Sequence, residues 1–171
     1  MCIRDRTKRL AMLEAPLQTR GRLYFIPPNR MARHTTAPGR SSLIIDGDRL
    51  IFEDEAGNDD IDLAANPVAR VFVENFIVLF NGDLAELRRR YEPTFAVAGD
   101  QWSLTLVPRA APLSRLIESI VMRGDASGMR SMTLRESGGD TTETVFENLD
   151  TQHRFSEREI EELFRPEPVS P

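Results

Sequence analysis

Apolar residues along this chain fall mostly into short alternating runs separated by glycine or proline, with one departure at residues 66–82. There Val68, Val71, Phe72, Phe76, Val78, Leu79 and Phe80, wrapped at ~100° per residue, sweep more than half of a helix circumference. Arg70, Glu74 and Asn81 form a polar seam that Ile77 interrupts. Asn66 suits the N-cap, Pro67 the first helical position, and Gly82 the left-handed residue just past the end. A helix that merely covers a sheet needs an apolar stripe little wider than ~100°. The surplus fits two arrangements: a core helix covered on two sides, or a lid that presents its aromatics to an apolar ligand.

The flanking segments predict strands. Residues 22–26 are dense in strand formers, and Pro27-Pro28-Asn29 breaks them, since proline cannot donate to a ladder. Residues 30–36 alternate and turn at Pro38-Gly39. Leu43-Ile44-Ile45 and Leu50-Ile51-Phe52 flank Asp46-Gly47, a strong hairpin signal. Gly57-Asn58 turns the chain into a period-two strand at residues 60–63. A second helix starts at Asp83, with Glu86 placed for a capping box and Leu84, Leu87 and Tyr91 as its stripe. Strands then resume at 94–98, 102–107, 117–123, 129–135 and 142–146, joined by glycine turns, with 108–112 as a connection. A last helix opens on Ser156 and Glu159, another capping box, with Phe155 and Ile160 placed for a hydrophobic staple.

This order predicts an α+β fold: a curved antiparallel sheet, an incomplete barrel, interrupted by a two-helix insertion. Helices are expected on its concave face only.

Length, at 171 residues, fits one domain with a sizeable core. The net charge of −5, with basic residues scattered, argues against nucleic acid. No apolar run approaches the ~20 residues of a membrane span. A single cysteine excludes a disulfide framework and leaves little for a Cys/His metal site. Even that cysteine is suspect. Met1-Cys2-Ile3-Arg4-Asp5-Arg6 back-translates to ATG-TGT-ATA-AGA-GAC-AGN, which looks like the end of a transposase adapter used in library preparation. The expected organisation is therefore an assembly artefact at 1–6, a single domain at 7–165 with a strand remnant within 7–14, and a frayed tail at 166–171. On this reading the true start lies upstream, and the lack of a signal peptide says nothing about compartment.

Catalytic chemistry is sparse. His34 and His153 are the only histidines, each beside an arginine, and no nucleophile-elbow pattern accompanies them. Asp59, Asp60 and Asp62 lack the glycine and terminal glutamate of a calcium loop and read as the outward face of a hairpin. Arg88-Arg89-Arg90 suits a helix C-terminus, where cations complement the dipole, better than an anion site. No phosphate loop is present, and neither a cofactor nor a metal is expected. What remains is apolar material arranged for enclosure.

Gly21-Arg-Leu-Tyr-Phe-Ile-Pro-Pro-Asn-Arg30, then Thr36-Ala-Pro38, then residues 43–50 ending a strand in Asp46-Gly47, resemble the periplasmic outer-membrane lipoprotein carrier family, LolA. Residues 140–148 resemble its penultimate strands, while residues 79–83, 102–108 and 138–140 look more like a divergent branch. The resemblance implies a non-enzymatic periplasmic carrier that holds acyl chains inside an incomplete barrel closed by helices. It also implies a signal peptide lost with the true start, an inner-membrane transporter as donor and an outer-membrane acceptor, with the carrier acting as a monomer. The ligand-binding residues are then the inner sheet face (Leu23, Phe25, Met31, Leu43, Ile45, Phe52, Trp102, Leu104 and Leu106) together with Phe72, Phe76, Leu79 and Phe80 of the lid. One position departs: the arginine that latches the lid in classical carriers aligns with Pro27, so a looser lid and a lipid other than lipoprotein are both open. A protein-interaction module using the same groove and a small hydrolase are the alternatives.

Overall fold

The computed structural model describes residues 3–9, as backbone alone, and residues 17–165. The strand remnant beyond residue 9, the bend at Ala15-Pro16 and the tail at 166–171 lie outside the described residues. The first half supplies β1 (Ile3–Arg9), β2 (Leu17–Ile26), β3 (Arg30–Ala37), β4 (Ser41–Asp46), β5 (Arg49–Asp54) and β6 (Gly57–Asp62). Helices α1 (Pro67–Asn81) and α2 (Leu84–Arg90) follow. The second half gives β7 (Tyr91–Ala98), β8 (Gln101–Pro108), α3 (Leu113–Leu116), β9 (Ile117–Asp125), β10 (Gly128–Glu136), β11 (Thr141–Phe146) and α4 (Glu157–Leu163).

Every ladder is antiparallel, in the order β6-β5-β4-β3-β2-β1-β11-β10-β9-β8-β7. Each half is a meander, and the two meet at β1, which pairs β2 on one side and β11 on the other. Strand β1 starts at Ile3, earlier than the remnant expected within 7–14, and so reaches into the first six residues. The described sheet is open, ending at β6 and β7. The α1–α2 insertion joins those two edges, so the connection itself must cross the mouth of the curved sheet.

Local chemistry explains the elements. The Asn66 side chain accepts from the Ala69 amide at 3.1 Å, Pro67 opens α1, and Gly82 at φ +71° ends it. Asp83 caps α2 through the Ala85 and Glu86 amides, both at 3.0 Å. Glu86 itself turns to Arg90 at 2.5 Å and to Arg89. Arg90 also reaches Glu74 of α1 at 3.2 Å, so carboxylates engage two members of the arginine triplet. Turn positions shift by one or two residues from the expected ones. The β4–β5 turn is Gly47-Asp48, and the β5–β6 turn is Glu55-Ala56, with the Asp54 carboxylate accepting from the Ala56 amide at 2.8 Å. The connection at 108–112 leads into α3, a single turn that the sequence pattern does not announce. At α4 both halves of the Ser156–Glu159 capping box are present.

The main core lies on the concave face, where Leu23, Met31, Ile45, Leu106, Ile120, Met122, Met132 and Phe146 meet Ile77, Val78 and Leu79 of α1. Burying each of those three helix side chains contributes roughly 1.5–3 kcal/mol. The expectation that helices cover only this face does not hold. Ala32, Ile44 and Ile51, which alternate with the concave residues, form a second core with Phe164, Ile160 and Leu163 of α4. The His34 ring, on β3, bonds the Leu163 carbonyl at 2.8 Å and the Ser42 hydroxyl at 2.9 Å, fastening α4 to the convex side. The sheet needs this cover because β4 and β5 are apolar on both faces.

Candidate functional site

Helix α1 does not lie flat on the sheet. Between them is a cavity of about 350 Å³, at the small end of the ~300–1,000 Å³ usual for small-molecule pockets. Its floor is Leu23, Met31, Leu43, Ile45 and Leu50 from one half of the sheet and Ile120, Met132, Leu134, Thr142, Thr144 and Phe146 from the other. Its roof is Phe72, Val73, Asn75, Phe76, Leu79 and Phe80 of α1, and Tyr91, Leu113 and Ile117 close one side.

Eight of the thirteen residues picked from sequence line this space: Leu23, Met31, Leu43, Ile45, Phe72, Phe76, Leu79 and Phe80. Five do not. The Phe25 ring packs against Phe80, with centroids 5.8 Å apart, and joins the core beside the cavity. Phe52, paired with Leu43, shares the concave side but lies beyond the rim, 39% exposed. Leu106 is fully buried as solid core, and Leu104 packs beside it. Trp102 lies over Gly124, where a Cβ would come within 2.4 Å of the ring, and its indole N–H donates to the Asp125 carbonyl at 3.0 Å.

The order of the strands accounts for both misses and omissions. Pairing of β11 with β1 brings β9–β11 under the lid and sends β7 and β8 outward, and nothing local announces that pairing. Alternation of Met132 with Leu134 on β10 is the one local signal for this part of the floor; β11 offers none, because its inward positions include Thr142 and Thr144 while Val145 faces out.

Polar groups in the cavity are few. Asn75 donates to the Val71 carbonyl at 2.6 Å, one turn back in its own helix. The Tyr91 hydroxyl donates to the Asn75 carbonyl at 3.0 Å, and burial pushes the phenol up to about 12. Arg33 enters from β3 and donates to the Thr19 hydroxyl at 3.0 Å. Neither histidine lines the space: His34 faces α4, and His153 bonds Glu159 at 3.1 Å and stacks edge-on against Phe155.

The roof is held at both ends. Arg70 donates to the Leu63 carbonyl at 3.2 Å and pairs with Asp48, while Asn81 donates to the Pro28 carbonyl at 2.8 Å. Phe76 is 36% exposed at the rim, its ring 5.3 Å from that of Phe80. Among the described residues no helix is long and apolar enough to cross a membrane.

A search of curated proteins returns no match to the chain. A family model described as "Outer membrane lipoprotein carrier protein LolA" matches residues 7–161, nearly the whole chain. The family is one of periplasmic carriers rather than enzymes. An open, curved antiparallel sheet with a helical lid over an apolar cavity accords with that match, and the chain belongs to the LolA family of outer-membrane lipoprotein carriers.

Proposed function

We propose that the protein carries an acyl chain, of a lipoprotein or of another lipid, in the cavity beneath α1 and moves it through the periplasm towards the outer membrane. It does so as a monomer and without catalysis, within the domain spanning 7–165. The observation that carries this reading is an apolar space enclosed by both a sheet and a helix whose aromatic side chains reach the rim. An inner-membrane transporter would load it and an outer-membrane acceptor would unload it. The cavity volume favours a single chain, so a lipid with several chains requires α1 to swing outward.

Native mass spectrometry of the protein freshly isolated from a cell envelope tests this. The expected result is an adduct with the mass of one acyl lipid, lost on mild organic extraction. An unliganded protein bound stoichiometrically to another polypeptide contradicts it and favours the interaction module.

A further inference from the structure

Strand β11 runs against the hydrophobic pattern of its neighbours. Its inward positions are Thr142, Thr144 and Phe146, while Val145 points outward and is 38% exposed. A one-residue slip would bury Val145 and expose the threonines, but it would also expel Phe146, which is 2% exposed. The register is thus pinned by Phe146, with hydroxyls held inward as a consequence.

Thr142 is 3% exposed, lines the cavity, and its Oγ1 is buried without a hydrogen-bond partner among the described residues. Its neighbours across the two ladders are Leu134 of β10, with Ile120 beyond, both on the cavity floor, and the backbone position of Lys8 on β1. Valine has the same shape and no desolvation cost, so packing alone does not select threonine here. The other polar side chains of the cavity are Thr144, Arg33, Asn75 and Tyr91, and no hydrogen bond joins any of them to the Thr142 hydroxyl. Departures from local pattern of this kind are expected where a ligand completes the site.

We infer that Thr142 is a subsite for the uncharged acyl carbonyl of an ester-linked chain, donating its hydroxyl proton to the carbonyl oxygen while the chain fills the apolar space. This rests on the acyl-carrier reading and narrows it: the cavity recognises an acyl ester, not hydrocarbon in general. Thr142 is a specificity residue, and α1 supplies the apolar contacts.

The test is displacement of a fluorescent phenylnaphthylamine by methyl dodecanoate and by tetradecane, with the full chain and its Thr142→Val, Thr142→Ala and Thr142→Ser variants. The ester is expected to weaken roughly 3–10-fold in Thr142→Val, the scale of one net hydrogen bond, with tetradecane unchanged. Thr142→Ser should restore the ester to within about twofold. The ligand-free Thr142→Val protein should melt at a higher temperature, since the unpaired hydroxyl is gone. Thr142→Ala, which also lacks the hydroxyl, should show the same selective loss. Equal effects on ester and alkane, or none on either, overturn the subsite while leaving the carrier intact. Failure of both ligands to displace the dye from the unaltered protein overturns the carrier reading and the subsite with it.

Discussion

The side-chain amide of Asn81 donates to the carbonyl oxygen of Pro28 at 2.8 Å, joining the last residue of the lid helix to the turn between β2 and β3. Pro27, which the family resemblance aligns with the latch arginine of classical carriers, lies in that turn. The tie runs from the helix to the turn. With the Arg70 contacts at its other end, α1 is clasped at both ends over a cavity.

A clasped but hollow lid should exchange in a characteristic way. In the ligand-free protein, amides of α1 are expected to exchange faster than those of β9 and β10, which sit in the middle of a meander. Asn81→Ala removes one partly solvated hydrogen bond and should speed α1 exchange roughly 3–10-fold, leaving β9 and β10 unchanged. Protection of α1 equal to that of the central strands, unmoved by the substitution, contradicts this.

Leu106 separates core from site. It is fully buried on β8 and does not line the cavity. Leu106→Ala should cost about 2–5 kcal/mol of unfolding free energy through lost transfer energy and a new void. Acyl-probe affinity measured below the melting transition should stay within about twofold, because less than ~0.4 kcal/mol of binding energy is at stake. Denaturant melts and probe titrations on one preparation check both.

Tyr91 predicts alkaline behaviour. Burial raises its folded-state value to about 12 from an ordinary 10.0. Stability from the neutral, buried phenol is therefore complete below pH 10 and is lost as pH rises through about 12, an expected fall of about 2–3 kcal/mol. Tyr91→Phe should start less stable, because the phenol's hydrogen bond to the Asn75 carbonyl is lost, yet show a shallower decline over that interval. Urea midpoints at several pH values give the comparison, and parallel curves for the two proteins contradict it.

On the convex side, Phe164 is 5% exposed against Ala32, Ile44 and Ile51. Phe164→Ala should cost about 3–5 kcal/mol and leave acyl-probe affinity unchanged, since neither Phe164 nor Ala32, Ile44 or Ile51 lines the cavity. A loss of affinity without loss of stability would show that α4 belongs to the site.

Much of this architecture is legible in local pattern. Asn66, Pro67 and Gly82 bound α1 because capping chemistry is local, and the strand-and-turn spacing gives the two meanders. The convex core was legible too. Leu43-Ile44-Ile45 and Leu50-Ile51-Phe52 are unbroken apolar runs, the mark of strands buried on both faces, which a one-faced sheet does not explain. The site was half legible. Aromatics of α1 and the apolar positions of β2–β4 that line the cavity can be read from periodicity, whereas Trp102, Leu104 and Leu106 lie off it and Met132, Leu134 and Phe146 line it. The reason is long-range: only the β1–β11 pairing decides which strands of the second half lie beneath the lid. Asn75 was overlooked because its amide is satisfied within its own helix, a contact that periodicity does not reveal.

The carrier account meets its most direct test at Phe76, at the rim of the cavity and 36% exposed. Denaturant melts and titration with a fluorescent fatty acid are to be compared between the protein and Phe76→Ala. As a lid residue with few close partners, Phe76 should cost well under the ~3–5 kcal/mol of a core phenylalanine when truncated. Probe binding should weaken by roughly 1–3 kcal/mol, the apolar contact that a side chain of this size gives a bound chain. A large loss of stability with unchanged probe affinity, or no probe binding by either protein, contradicts the account.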